Sequence, residues 1–295
     1  MLPIVVPKGS WETWTEEQCI EALYQARWPH GFRCPACNYP HCSVSRTRKH
    51  PLYVCSSCRL QTSITAGTVM HGTRTPLRLW FRAMLWIGEE ATSVELSEVL
   101  GVTYKTAWLI GHKLRDALTL VAEESKLSGS VAVTGGVYGW RCFSSLVTEP
   151  TDQPIVIGAE LDGEEIQFVK MVQMDLSVVG KSRLLTRYVY DVFSEFHAEV
   201  DFKRVKTFAY RGMKSFKPLS AILMKAMHWF DHTLQGLGPK HLQAYLNQQA
   251  FVYNINRSGQ GLLWYLMRLC GSTMTITYRQ LTRPRARVPN RYWAA

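Results

Sequence analysis

The stretch CPACNYPHCSVSRTRKHPLYVCSSC, residues 34–58, contains two Cys-x-x-Cys pairs and decides the fold of the N-terminal part of the chain. Zn²⁺ takes four soft ligands at the corners of a tetrahedron, and a two-residue spacer lets each pair close a tight turn around the metal. The sequence therefore predicts a zinc ribbon over residues 31–65, with a closed structural site and no position open for catalysis. Its four ligands, in pairs 17 residues apart, are Cys34, Cys37, Cys55 and Cys58.

Redox activity and disulfide bonding explain these cysteines less well than a zinc site does. A redox Cys-x-x-Cys motif needs no matched second pair, and disulfides are disfavoured inside cells. Three nearby residues offer further zinc ligands at less regular spacing: His41, Cys42 and His50. The remaining cysteines are expected to be core or surface thiols: Cys19, Cys142 and Cys270.

Length and composition describe a folded chain. Of the 295 residues, 46% are hydrophobic, which is enough for a core. No apolar run approaches the roughly 18 residues of a membrane span, and the start lacks the pattern of a signal peptide. We therefore expect a cytoplasmic protein with no membrane partner.

The charge of the chain is unevenly distributed. The net charge is +11, and the tail over residues 276–295 contains five arginines and no acidic residue. A second run, from Lys203 to Lys217, contains six basic residues and no carboxylate. Both runs fit a solvated surface or contact with phosphates, so DNA is a candidate partner. The tail residues predicted to contact DNA are Arg283, Arg285 and Arg287.

The region 76–120 shows helical periodicity and contains a candidate helix-turn-helix, SVELSEVLGVTYKTAWLIGHKLRDAL. Gly101 allows the sharp turn and Thr103 caps the second helix. The side chains expected to face inward are Val94, Leu96, Leu100, Ala107, Ile110 and Leu114. The start of such a second helix enters a major groove, although a hairpin that only joins two domains has the same pattern. The predicted DNA contacts are Tyr104, Lys105, Thr106, Lys113 and Arg115.

The pattern changes to strands after a linker at residues 121–130. Three β-prone segments follow, the last two separated by Asp162-Gly163, which predicts a hairpin: 130–138, 154–161 and 165–172. We further predict a helix over 176–187, a strand over 188–193 and helices from about Ser215. An N-terminal helix over 15–27, capped by Thr15, completes a multi-domain α/β chain.

Four segments follow one another in a recognisable order: ARWPHGFRCPAC, YVCSSC, TSITAGTVMHGTRTPLRLWF and LGVTYKTAWLIGHKLRDAL. This order resembles the N-terminal half of insertion-sequence transposases that begin with a zinc ribbon. Three later segments resemble two strands and the C-terminal helix of their ribonuclease-H-like DDE domain: VAVTGGVYGW, IVIGAELDG and GPKHLQAYLNQQAFVYNINR. The resemblance implies five regions: an N-terminal helix (1–30), a zinc ribbon (31–65), a helix-turn-helix (76–120), a ribonuclease-H-like domain with a mixed sheet and flanking helices (129–275) and a basic tail (276–295).

The resemblance also implies where catalytic acids belong, and the sequence departs from the pattern there. Such enzymes hold two Mg²⁺ ions with two or three carboxylates. Thr134 stands where the first acid ends a strand, and Arg187 is the best match for the second. The stretch KSFKPLSAILMK, expected to carry the third, has no acid, and the usual acid pair of the C-terminal helix reads Asn247-Gln248. We therefore expect zinc but no Mg²⁺ and no catalytic residue.

Three functions follow from these observations. The first is a transposase-family DNA-binding protein without strand-transfer activity, associated with a bacterial nucleoid and, by analogy, a homo-oligomer. The second is an active Mg²⁺-dependent transposase with a relocated acid. The third is a protein-interaction module. The acids available for relocation are Asp152, Asp162, Glu164, Glu165, Asp175, Asp191, Glu195, Glu199 and Asp201.

Overall fold

The computed structural model describes residues 13–46, 50–139, 147–180, 182–199, 205–207 and 216–282. The chain forms two compact units: the first comprises Met1–Ala117 with Gln260–Leu281, and the second comprises Leu118–Gly259 with Thr282–Ala295. None of the helices in the described part combines the length and apolar character needed to cross a bilayer. Several predicted features lie outside the described residues: Cys142, Asp201, most of the basic run 203–217, and the tail residues Arg283, Arg285 and Arg287.

Ten α-helices and seven strands are found in the described residues. In chain order they are α1 (Glu16–Arg27), β1 (Cys42–Ser45), β2 (Leu52–Cys55), β3 (Gln61–Ser63), α2 (Leu77–Gly88), α3 (Ser93–Leu100), α4 (Tyr104–Glu124), β4 (Ser130–Tyr138), β5 (Gln153–Asp162), β6 (Glu165–Gln173), α5 (Leu176–Val179), α6 (Arg187–His197), β7 (Lys206–Thr207), α7 (Lys217–His228), α8 (Pro239–Ser258), α9 (Leu262–Ser272) and α10 (Tyr278–Thr282). A π-helical turn follows α7 directly at Trp229–Thr233.

Local capping explains where the first helices begin. Thr15 and Gln18 form a capping box at the start of α1, which confirms the predicted cap. The carboxylate of Glu16 accepts hydrogen bonds from the backbone N–H groups of Leu77 (2.7 Å) and Arg78 (3.3 Å). Helix α2 follows Pro76 and has no side-chain cap of its own, so α1 supplies the carboxylate that satisfies its N-terminus.

The predicted pair of helices with a sharp turn is present as α3 and α4. Gly101 ends α3 with φ +62°, a conformation that favours glycine. The Thr103 hydroxyl accepts from the N–H of Thr106 at 3.4 Å and caps α4. The predicted inward residues are buried, with one correction: Val94 is 55% exposed, because the N-terminal turn of α3 faces solvent at that position.

The second unit contains a four-stranded sheet in the order β6-β5-β4-β7. Strand β5 is antiparallel to both β4 and β6, whereas β7 runs parallel to β4. The three predicted strands are confirmed to within one residue at each end. Gly163 has φ +63° in the two-residue loop between Asp162 and Glu165, as the predicted hairpin requires.

Residues 176–197 correct the sequence prediction. The helix predicted over 176–187 is a single turn, α5, followed by a loop, and the strand predicted over 188–193 is part of helix α6. Val189, Tyr190 and Phe193 are buried, and their spacing places them on one face of that helix. A short apolar run fits a strand and a helix equally well, so only burial on one side decides between them.

Helices cover both faces of the sheet. Alternate residues of β4 point to opposite sides, so Ala132 packs in one apolar cluster and Val131 in another. The first cluster joins the sheet to α7 and α8, and the second joins it to α5 and α6. Since Ala132, Thr134 and Gly136 alternate with residues of the other face, Thr134 lies on the α7 and α8 side.

Amide side chains of α8 protect the outer edge of β6. Asn254 accepts from the backbone N–H of Val169 (2.8 Å) and donates to its carbonyl (2.9 Å), as a neighbouring strand would. Gln243 accepts from the N–H of Gln173 (2.8 Å) and donates to the carbonyl of Met171 (3.0 Å). The helix therefore satisfies alternate residues of an edge that would otherwise be free to pair with another chain.

Candidate functional site

The four predicted zinc ligands meet at one point of the ribbon. The Sγ atoms of Cys34 and Cys58 are 3.6 Å apart, as are those of Cys37 and Cys55. All four ligand atoms lie within 4.8 Å of one another. Four sulfurs at about 2.3 Å from a tetrahedral zinc ion are roughly 3.8 Å apart, so this arrangement fits Zn²⁺ closely.

The backbone around the sulfurs repeats itself in the two pairs. In the first, the Asn38 N–H donates to the Cys34 carbonyl at 2.8 Å, and in the second the Arg59 N–H donates to the Cys55 carbonyl at 3.1 Å. The residue after each pair has a left-handed backbone, with φ +60° at Asn38 and +62° at Arg59. Two equivalent tight turns therefore present their sulfurs to a common centre.

Backbone amides favour the thiolate form that zinc requires. The N–H groups of Cys37 and Ala36 point at the Cys34 sulfur and lower the pKa of that thiol to about 6. Burial raises the pKa of Cys55, but the N–H groups of Cys58 and Ser57 and hydrogen bonds with the thiols of Cys37 and Cys58 together lower it overall. The backbone hydrogen bond at Leu60 lowers the pKa of Cys58, whereas hydrogen bonds with the other thiols and burial raise it overall to about 12. The backbone amides therefore favour the thiolate form at Cys34 and Cys55.

The ribbon is anchored to α1 by aromatic rings and one arginine. Tyr53 of β2 stacks on Tyr24 with centroids 5.4 Å apart and meets the edge of Trp28 at 5.2 Å. The Arg27 guanidinium donates to the carbonyls of Ile64 (2.7 Å) and Ala66 (2.5 Å) just after β3. Burial lowers the pKa of Arg27 to about 10. The Cζ atom of its guanidinium lies 4.5 Å from the centroid of the Trp28 ring.

The alternative ligands do not join the centre. Among the described residues, the group able to hold a metal consists of the four cysteines alone, without His41, Cys42 or His50. Cys19 and Cys270 are buried, as expected of core thiols, and burial raises the pKa of both.

The first turn of α4 carries the exposed part of the predicted DNA contacts. Tyr104 is 55% exposed and Lys105 is also exposed. Thr106 is half-buried, and its hydroxyl lies 3.0 Å from that of Thr103 within the cap. The residues available to an approaching ligand are therefore Tyr104 and Lys105.

Further along α4, the structure corrects the sequence prediction. Arg115 is fully buried, so it cannot reach a phosphate from this position. Lys113 is half-buried, and desolvation lowers its pKa. Position 115 follows Leu114 on the inward side of the helix. A basic residue type favours exposure, and the sequence does not show what packs against this position.

The two positions aligned with family acids lie in different surroundings. Thr134 is 7% exposed on β4, paired with Ile157 of β5. Arg187, predicted to end a helix and precede a strand, begins helix α6. Its guanidinium is exposed and lies 3.7 Å from the carboxylate of Asp191, one turn later on the same helix. Thr134 therefore lies on a buried strand, whereas Arg187 lies at an exposed position of a helix.

The other carboxylates have structural partners. Asp152 is buried and forms a two-pronged ion pair with Arg183, at 2.7 and 2.8 Å. Asp175 caps α5, and Glu165 pairs with Arg257. Within the described ranges, no three carboxylates come together in a way that could hold a metal ion.

The Asn247-Gln248 pair of α8 is part of a buried polar network. Asn247 donates to the Thr119 hydroxyl at 3.1 Å and accepts from Gln243 at 2.8 Å. Gln248 is fully buried. Amides at these two positions can donate and accept hydrogen bonds without the cost of a buried charge, so they hold helices together.

The N-terminal centre thus has the ligands and strand arrangement of a zinc ribbon. The family model of the IS1595 transposase zinc-ribbon domain matches residues 14–61, which include all four cysteines. The match covers 48 of the 295 residues, so the similarity it shows is confined to the zinc ribbon. No curated protein and no solved structure matches the chain.

Proposed function

We propose that this protein is a transposase-family DNA-binding protein that has lost strand-cleaving chemistry. The observation that carries the proposal is the distribution of metal ligands. In the described part of the chain, the four cysteines of the ribbon are the residues grouped to hold a metal, and the sheet has no such group. A site filled by four thiolates stabilises a fold and leaves no coordination position for a substrate.

The proposed role of zinc is structural. A ribbon with three strands of three or four residues buries too little to fold on hydrophobic contacts alone. Zinc held by Cys34, Cys37, Cys55 and Cys58 supplies the missing free energy. Its chemistry is limited to holding the two tight turns together.

The strand connections support a ribonuclease-H-like scaffold in the second unit. Three antiparallel strands are followed by helix α6 and then by β7, which returns parallel to β4. This is the order in which such a domain begins. In it, the first acid belongs on β4 and the second follows the strand that lies parallel to β4.

In a scaffold of this kind the second acid follows β7, the strand parallel to β4, so its place comes after Thr207 rather than at Arg187. The sequence from Phe208 to Arg211 has no acid. Position 134 is a threonine, and α7 contains no acidic residue. At these three places the chain therefore offers none of the carboxylates that two Mg²⁺ ions require.

DNA binding is assigned to the start of α4. Its first turn presents Tyr104 and Lys105 to solvent and contains no acidic residue. The N-terminal end of a second helix in a helix-turn-helix is the part that enters a major groove. A lysine there contacts phosphates or bases, and its contribution weakens as salt is raised.

The test measures binding and cleavage in the same preparation. Purified full-length protein, with zinc content determined, is incubated with labelled duplex DNA and either Mg²⁺ or Mn²⁺. We expect salt-dependent binding and no strand cleavage. Cleavage that follows the protein through purification would refute the loss of chemistry, and binding that is equal for DNA and a neutral polymer would refute the DNA-binding role.

A further inference from the structure

Helix α10 lies directly against the first turns of α4. The Lys105 ammonium lies over the Tyr278 ring, 5.0 Å from its centroid. The same ring packs edge-on against Trp108, with ring centroids 6.0 Å apart, and the ring centroids of Trp108 and His112 are 4.1 Å apart. The C-terminal helix therefore touches the very residue proposed to contact DNA.

The position of α10 depends on this contact. The helix has five residues, too few to be stable alone in water. It is started by a reciprocal cap, in which Gln280 accepts from the N–H of Thr277 at 2.8 Å and Thr277 accepts from the N–H of Gln280 at 3.3 Å. The contacts of Tyr278 with Lys105 and Trp108 add tertiary stabilisation to this cap.

The two helices form one surface with a consistent chemistry. Tyr104 is 55% exposed and Tyr278 is 43% exposed. Lys105 and Arg279 are exposed beside them. Neither the segment 103–106 nor the segment 277–282 contains an acidic residue. Two exposed cations without a neighbouring carboxylate fit a polyanion such as the phosphate backbone of DNA.

Lys105 can still bind a phosphate while its ammonium group lies over the Tyr278 ring. An ammonium group has three N–H donors, and a ring beneath it leaves donors free to point at a phosphate. At an exposed site such a cation–π contact is worth about 0.5–1 kcal/mol, which corresponds to about two- to fivefold in affinity. The ring therefore restricts where the flexible lysine points while the charge stays accessible.

We propose that α10 is a second DNA-contacting element, and that α10 and the first turn of α4 bind duplex DNA as one composite surface. Tyr278 is a positioning residue for Lys105, and Arg279 contacts a phosphate beside it. The proposal rests on the DNA-binding role of α4 proposed above. It extends the interface to residues far away in sequence that lie outside the helix-turn-helix.

The first experiment compares two arginines of the full-length protein. Binding of a duplex of about 30 base pairs is measured by fluorescence anisotropy over a range of salt concentrations. Arg279→Ala should reduce the slope of log K against log salt by about 0.9, as expected when one phosphate contact is lost. Arg268→Ala is the matched control, because Arg268 is exposed on a different helix, α9, and its loss changes the net charge equally. Its slope should stay unchanged.

The second experiment tests the positioning role. Tyr278→Phe keeps the ring and should bind like the unaltered protein, whereas Tyr278→Ala should lose about two- to fivefold in affinity. Combined with Lys105→Ala, the Tyr278→Ala change should cause a smaller loss than it causes alone, because part of its effect acts through the lysine. Circular dichroism and zinc content of every variant check that the fold is kept.

The outcomes separate this inference from the function on which it rests. If Lys105→Ala weakens binding but Arg279→Ala behaves like Arg268→Ala, α4 binds DNA and the composite surface is refuted. If neither Lys105→Ala nor Arg279→Ala changes binding, the proposed DNA-binding role of α4 fails as well. If Tyr278→Ala and Lys105→Ala are additive, the positioning role is refuted.

Discussion

Restoring the first family acid by the substitution Thr134→Asp asks whether the sheet can still hold a metal. In an active site, an aspartate at this position of β4 would be stabilised, because Mg²⁺ would bind it beside further carboxylates. Here the side chain is 7% exposed, on the face where Ala132 and Ile157 pack in an apolar cluster. We therefore expect the substitution to destabilise the second unit and to restore no cleavage.

The size of the effect follows from burial. An isolated carboxylate in such a place avoids ionising, and keeping an aspartic acid with an ordinary pKa of about 3.9 protonated at about pH 7 costs about 4 kcal/mol. Thr134→Asn has the same shape without the charge and serves as the control. Because the pKa of the new aspartic acid is raised in the folded state, the loss of folding stability is present at neutral pH. It disappears as the pH falls to about 4, where the aspartic acid of the unfolded chain is protonated as well.

The assay is urea unfolding followed by tryptophan fluorescence and circular dichroism, with and without Mg²⁺. We expect Thr134→Asp to be less stable than Thr134→Asn at neutral pH by up to about 4 kcal/mol, with no effect of Mg²⁺. Equal stability of the two variants, together with a stabilisation of Thr134→Asp that grows with Mg²⁺ concentration, would show an intact metal pocket. That result would refute the argument for lost chemistry.

Three further predictions concern stability. Cys34→Ser, or a strong chelator, should release one zinc per chain and unfold the ribbon, measured by metal analysis and near-ultraviolet circular dichroism; a ribbon that stays folded without metal would exclude a structural role. Asn254→Leu should cost about 2–4 kcal/mol in urea unfolding, because it leaves the N–H and C=O of Val169 on β6 without a partner. Asn254→Asp, which keeps one acceptor, is the comparison, and a neutral effect of both would show that water replaces the amide. His197 is half-buried near Lys170 and Lys126, and desolvation first, then these charges, lower its pKa to about 3. The contribution of neutral His197 to stability is therefore fully present above about pH 6.5. The free energy of unfolding should fall by about 1–2 kcal/mol as the pH drops towards 4.5, and His197→Gln should remove this part of the acid dependence.

Local patterns in the sequence predicted the ribbon and most of the sheet. Ligand spacing in a Cys-x-x-Cys pair is set within a few residues, and so are the glycine turn at Gly101 and the hairpin at Gly163. These features depend on backbone geometry and on one or two side chains. The same reasoning applies to the caps of Thr15 and Thr103, which act on amides three residues away.

Features that depend on distant partners could not be predicted. Whether residues 188–193 form a strand or a helix depended on which surface buries Tyr190 and Phe193. Whether Arg115 is exposed depended on what packs around α4. Gln260–Leu281 belongs to the first compact unit, although no local pattern in the sequence associates this segment with the N-terminal part of the chain. Long-range packing overrides local preference in each case.

The sequence alone determined the zinc ligands, the turns and the order of the central strands, because each follows from spacing and backbone conformation within a short segment. Only the tertiary structure showed that α8 covers the edge of β6 with amides, that β7 lies parallel to β4, and that Tyr278 of α10 lies against Lys105 of α4. These arrangements join residues far apart in the chain. They arise from burial and hydrogen bonding in the whole fold, which no local pattern encodes.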